Sequence, residues 1–184
     1  WRFQHSLGEH LDVLIQKTTA PVLIVPHPAR ESTLDDSDTV MAVTDHLSSD
    51  HTLVNHAVAF TGSGGTLRLA HIEDTGVFDR YITAIGKISS IDTADAEKKL
   101  RRQLLKDPQD YIASCQSALA ANDVAITIEA DVAFGHFLAE YSARITDHKV
   151  GLLVMHGKDD DQLAMHGLAY PLAIELRDIP LLMI

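Results

Sequence analysis

The chain has a single cysteine, Cys115. One thiol excludes an internal disulfide and fits a reducing compartment, so a cytoplasmic location is expected. Its neighbours Tyr111, Ile112, Ala118 and Leu119 read as one helix face, which makes Cys115 a small packed side chain rather than a reactive nucleophile. Long apolar runs are also missing. No stretch approaches the roughly 18 apolar residues that a spanning helix needs, so no membrane insertion of this segment is expected. Positive charge is scarce: 15 Lys and Arg stand against 26 Asp and Glu, for a net charge of −11. Such a surface repels nucleic acid and anionic headgroups, and neither is expected as a primary partner. It repels ATP at long range as well. No signal peptide is present, and the chain opens on Trp1 rather than Met, which predicts a fragment of something longer.

What is present suits a globular α/β protein. Apolar residues make up 46% of the 184 positions, enough for one sizeable core with little left over. The most informative internal feature is a repeat at the two ends. Gly8 is followed thirteen residues later by Pro21 and then Val22-Leu-Ile-Val25; Gly167 is followed thirteen residues later by Pro180 and then Leu181-Leu-Met-Ile184. Val13, Ile15 and Ala20 correspond to Leu172, Ile174 and Ile179. Each copy reads as a helix, a short turn ending in proline, and a buried four-residue strand. Residues 1–26 are therefore expected to be the last helix and strand of a first domain. His27–Thr39, rich in acidic and turn residues, reads as a linker, and residues 40–184 as a complete domain.

Within 40–184 short apolar runs alternate with helical patterns. Strands are expected at Val40–Thr44, Thr66–Ile72, Ala125–Ala130, Val150–Met155 and Leu181–Ile184. Helices are expected at Asp50–Phe60, over most of 77–121 with breaks near Ser89–Ser90 and Asp107–Pro108, from Phe134 through Ile145, and at Leu168–Arg177. Alternation of this kind predicts a parallel sheet covered by helices on both faces. Ligands in such sheets sit beyond the carboxyl ends of the strands, where strand order reverses. Asp45 and His46 follow the first strand; His156, Gly157 and Lys158 follow the fourth.

At these positions the chain resembles the universal stress protein family. The resemblance rests on Val43-Thr44-Asp45, Leu69-Ala70-His71-Ile72, Leu152–Met155 followed by His156-Gly157-Lys158, then Gly167 and Ile179–Ile184. It implies an adenine-nucleotide-hydrolase-like α/β fold, a doubly wound five-stranded parallel sheet of order 3-2-1-4-5. It also implies pairing through terminal strands, as a homodimer or as tandem domains, with a second stress-protein domain as the expected partner. ATP-binding members carry a glycine, two residues, a second glycine, nine residues, then glycine with serine or threonine. Gly157 and Gly167 match the last two glycines, Val154 takes the place of the first unless Met155 closes the strand, and Leu168 stands at the hydroxyl position. Asp45 matches the aspartate that meets the base. The upstream copy keeps Gly8 but has Glu9 at the hydroxyl position.

These departures count against ATP as a cofactor. A triphosphate is held by backbone N–H groups, hydroxyls and helix N-termini. Leu168 has no donor, and Asp159, Asp160 and Asp161 face Lys158 alone. Like charges in partly dry surroundings cost on the order of 1–3 kcal/mol each, though a bridging Mg²⁺ reverses that sign. The expected function is a non-enzymatic regulatory or stress-adaptation protein whose nucleotide site, Asp45, His156, Gly157, Lys158 and Gly167, is degenerate. One alternative is an ATP-binding switch or weak ATPase using Asp45, Gly157, Lys158 and Gly167. Another is a metal module using His46, His156 and His166, since imidazole suits Zn²⁺. His46, His51 and His56 recur every five residues and do not share a helix face. His71, inside a strand, is expected as a satisfied core histidine. Gly62-Ser-Gly-Gly65 precedes a strand and reads as a turn, not a phosphate loop.

Overall fold

The computed structural model describes residues 7–26, 38–43, 51–158, 167 and 169–184. In chain order these form α1 (Glu9–Lys17), β1 (Val22–Ile24), β2 (Thr39–Val43), α2 (His51–Phe60), β3 (Thr66–Asp74), α3 (Thr75–Ile85), α4 (Thr93–Ala121), β4 (Thr127–Gly135), α5 (Phe137–Asp147), β5 (Leu152–Met155), α6 (Ala169–Glu175) and β6 (Leu181–Met183). All six strands join one sheet of order β1-β6-β5-β2-β3-β4. Counted from β2 onward this is the expected 3-2-1-4-5 parallel order, with β1 added at the edge beside β6.

Strand parity divides the core into two layers. Val40, Ala42, Leu67, Leu69, Leu152, Val154 and Leu182 point to one face, where Leu53, Val54 and Ala57 of α2 and Ile112 of α4 cover them. Met41, Val43, Ala70, Ile72, Leu153, Met155, Leu181 and Met183 point to the other, under Tyr141 and Ile145 of α5, Leu172 and Ala173 of α6, and Ile15 of α1. Both faces are covered, which is why these strands read as unbroken apolar runs. Full burial of such side chains contributes about 1.5–3 kcal/mol each. Where β3 outruns β2 beyond the Val43–Ala70 pair, the buried Tyr141 hydroxyl accepts a 3.1 Å hydrogen bond from Ile72 N–H.

The strand at the edge has a register of its own interest. β1 runs antiparallel to β6, with Val22 opposite Met183, Leu23 opposite Leu182, and Ile24 opposite Leu181. In the repeat, Val22, Leu23 and Ile24 correspond to Leu181, Leu182 and Met183. Each pair is thus matched by its own exchange, and the pairing has a local two-fold axis at Leu23–Leu182. β1 is less covered than its counterpart: Leu23 is 43% exposed whereas Leu182 is 2% exposed. The expectation of a buried four-residue strand at 22–25 is corrected here, since Val25 lies beyond the strand and is also exposed.

Other boundaries moved for identifiable reasons. The second strand of the domain continues to Asp74 and the third begins at Thr127 and reaches Gly135, because His71–Asp74 pair with Val132–Gly135. Phe134 accordingly belongs to β4 and not to the following helix. The break expected near Ser89–Ser90 is real and spans residues 86–92. The break at Asp107–Pro108 is not: α4 runs through Pro108. Proline removes one backbone bond and crowds the preceding turn, at a cost of about 3 kcal/mol. Against that, Pro108 is buried, Ile112 is 1% exposed on the sheet, and Gln103–Asp107 and Lys106–Asp110 side-chain pairs span the interruption. Gly62–Gly65 forms the expected turn, with Gly64 at φ 82° and Gly65 N–H donating to Gly62 O.

Candidate functional site

The carboxyl end of β5 carries His156, Gly157 and Lys158, and each is already engaged. Ile184 N–H donates to Met155 O at 3.0 Å, and Gly157 N–H donates to Ile184 O at 2.9 Å, so pairing with the β6 end continues past the strands themselves. Gly157 is buried, and a Cβ built there would lie 3.1 Å from Ile15 Cγ2 and 3.3 Å from Met183 Cβ. The missing side chain is what lets α1 approach the sheet. The Lys158 ammonium donates to the carbonyl of Thr18, the residue that closes α1. Helix C-termini leave carbonyls unpaired and carry partial negative charge, so a lysine there is favourable on both counts.

Between α1 and the carboxyl ends of β5 and β6 lies a cavity of about 300 Å³. Ile15, Val22, Met183 and Ile184 supply apolar lining; Thr18, Thr19, Thr52, His156 and Lys158 supply polar groups. That volume sits at the lower end of the range for small-molecule sites. Five of the eleven lining residues come from the segment before residue 27, where the sequence analysis placed no site residue. A signal for it existed: antiparallel pairing of the two repeat copies carries the turn after α1 to the carboxyl end of β5.

The structure brings His156, Gly157 and Lys158 together along this wall. Asp45, His46, His166, Leu168 and Asp159–Asp161 lie outside the described residues. Gly167 stands exposed just before α6, with open space where a side chain would be. Met155 closes β5, so Val154, buried inside that strand between Ala42 and Leu182, is no part of a loop and the first glycine of the pattern has no counterpart. Among the described residues no three His, Cys, Asp or Glu side chains come together as metal ligands. His71 is 4% exposed, with Nε2 2.9 Å from Glu73 Oε1, as a core histidine should be. His56 Nδ1 meets Thr52 O while the His51 ring tilts against Tyr111, so the two do not converge. Cys115 packs against the α2–α4 layer, and burial pushes its thiol up.

No family model and no curated protein sequence matches the chain. Solved structures do. Hypothetical protein MJ0577 aligns with TM-score 0.61 at 16% identity, over 80% of this chain and 94% of its own. A Pseudomonas aeruginosa UCBPP-PA14 protein assigned by name to the universal stress proteins aligns with TM-score 0.54 at 13% identity, and the functionally unknown protein PA1789 of Pseudomonas aeruginosa PAO1 with TM-score 0.53 at 13%. Both cover 98% of this chain, which spans only 58% and 57% of theirs. The fold is thus a doubly wound α/β sheet shared with these structures, one of which is assigned by name to the universal stress proteins. Among the described residues no helix is long and apolar enough to cross a membrane.

Proposed function

We propose that this chain is a non-enzymatic regulatory protein of the universal stress type, acting in the cytoplasm as one half of a paired assembly, with a nucleotide site that no longer grips phosphate in the usual way. One observation carries this reading. The backbone amide of Gly157 and the ammonium of Lys158, the groups at the β5 end best suited to a phosphate, hold Ile184 O and Thr18 O instead. A triphosphate would have to break both contacts before gaining any of its own. The paired architecture is supported by the two-fold register at Leu23–Leu182. It is supported further by the two Pseudomonas structures, whose alignments take in α1 and β1 while leaving over two fifths of those chains unmatched.

Titration calorimetry with ATP and Mg²⁺ tests the site. The expected result is no binding in the micromolar range. Micromolar affinity that disappears in Lys158→Gln sinks the reading and establishes the ATP switch in its place. The pairing is tested separately, by the assembly measurements given in the Discussion.

A further inference from the structure

The charge of this acidic chain reverses locally. Residues 79–106 hold seven of the fifteen Lys and Arg but only four of the twenty-six Asp and Glu. This stretch is the hairpin of α3 and α4. The two helices meet where the Arg101 guanidinium lies 4.7 Å from the Phe78 ring centroid and 4.3 Å from that of Phe134. The two rings are themselves in edge contact at 5.1 Å. An antiparallel hairpin registered at Phe78–Arg101 places Tyr81, one turn along α3, beside Lys98, one turn back along α4. Tyr81 is 57% exposed, and the turn beyond it presents Ile88 and Ile91, both also exposed. Lys98 and Arg102 lie four residues apart on one face of α4, and Ile91 stands in the turn just before that helix. Among the described residues no carboxylate pairs with Arg80, Lys98, Arg101 or Arg102.

We propose that the α3–α4 hairpin docks an acidic, amphipathic segment of a partner protein, with Arg101 as its anchor. Two aromatic rings hold the guanidinium in place, so little side-chain freedom is lost when it binds. Its N–H edge is left to grip a carboxylate through two parallel bonds. Tyr81, Ile88 and Ile91 offer the partner's apolar side a surface, and Lys98 and Arg102 match its acidic side. Aromatic and arginine anchors surrounded by weaker contacts are the usual composition of an interface centre. The occupant is fixed by charge complementarity together with apolar area: a purely polyanionic ligand would leave the isoleucines wet, and a neutral apolar one would leave four cations unmatched.

The test uses the whole chain with three probes: a synthetic helical peptide bearing glutamates on one face and leucines on the other, a polyglutamate peptide of equal charge, and phosphatidylserine vesicles. Micromolar binding of the amphipathic peptide is expected, with amide shifts confined to residues 75–106 and about tenfold weaker binding of polyglutamate. Arg101→Gln and the exposed pair Lys98→Glu with Arg102→Glu should each weaken binding about tenfold, and Arg101→Lys should restore part of it. Circular dichroism confirms folding of each variant. Should Arg101→Gln fail to fold, the charge-reversed pair decides. Equal affinity for polyglutamate, shifts outside the hairpin, unchanged binding in the folded variants, or vesicle binding without peptide binding would each overturn the proposal.

Discussion

An alanine at position 157 would place its Cβ 3.1 Å from Ile15 Cγ2 and 3.3 Å from Met183 Cβ, both in well-packed surroundings. Overpacking of this degree costs about 1–3 kcal/mol. Gly157→Ala should therefore lower the urea midpoint, and in an Ile15→Ala background, which removes Cγ2, the same change should cost less. An equal cost in both backgrounds would show that the glycine serves something other than the approach of α1. Cys115 makes a prediction in pH. Burial raises its thiol above the ordinary value of 9.0. The unfolded chain loses that proton first, so its contribution to stability is intact below pH 9 and falls as pH rises towards the folded value. Cys115→Ala should remove this part of the alkaline slope in denaturation curves. The sequence made Cys115 legible, since its helix face was plain, but not the close packing around Gly157. A glycine spacing does not distinguish a cradle for phosphate from a gap for a neighbouring helix; only the position of Ile15, 142 residues away in the chain, does.

At the scale of elements, α4 depends on its first turn. The Asp92 carboxylate accepts from Asp95 N–H at 3.1 Å, and Asp92→Ala should cost about 1 kcal/mol. Hydrogen exchange should quicken at residues 93–97 and stay unchanged in β2; uniform quickening would mean that α4 melts only with the whole fold. Most elements were readable because their apolar spacing and their burial agree. The two misjudged ones show where that agreement ends. β4 runs on through Asp131 and Gly135 because β3 offers it a partner, and the Asp131 carboxylate accepts from Arg68 at 2.9 Å. Pro108 should have ended a helix on local grounds, but its own burial and the packing of Ile112 on the sheet outweigh the lost bond. Partners distant in sequence decide both cases, and no window of neighbouring residues contains them.

At the scale of the molecule, β1 covers the edge of β6. Removing residues 1–26 would leave Leu181–Met183 as an apolar edge strand, paired only with β5. The truncated chain should associate in light scattering more than the full chain does. A truncated chain that stays monomeric and equally soluble would refute the pairing role of the segment. The parallel, helix-covered sheet was legible from the alternation of strands and helices, while its strand order and the pairing of terminal strands came from the family resemblance. The cavity was not, because it belongs to two parts of the chain that only pairing brings together.

The opposed directions of β1 and β6 have a consequence for any molecule that enters that cavity. The cavity wall joins the turn at Thr18–Ala20, carried by the segment that ends in β1, to the end of β5. A visitor large enough to displace Lys158 from Thr18 would loosen α1 and β1 from the sheet edge while leaving the ladder from β6 to β4 intact.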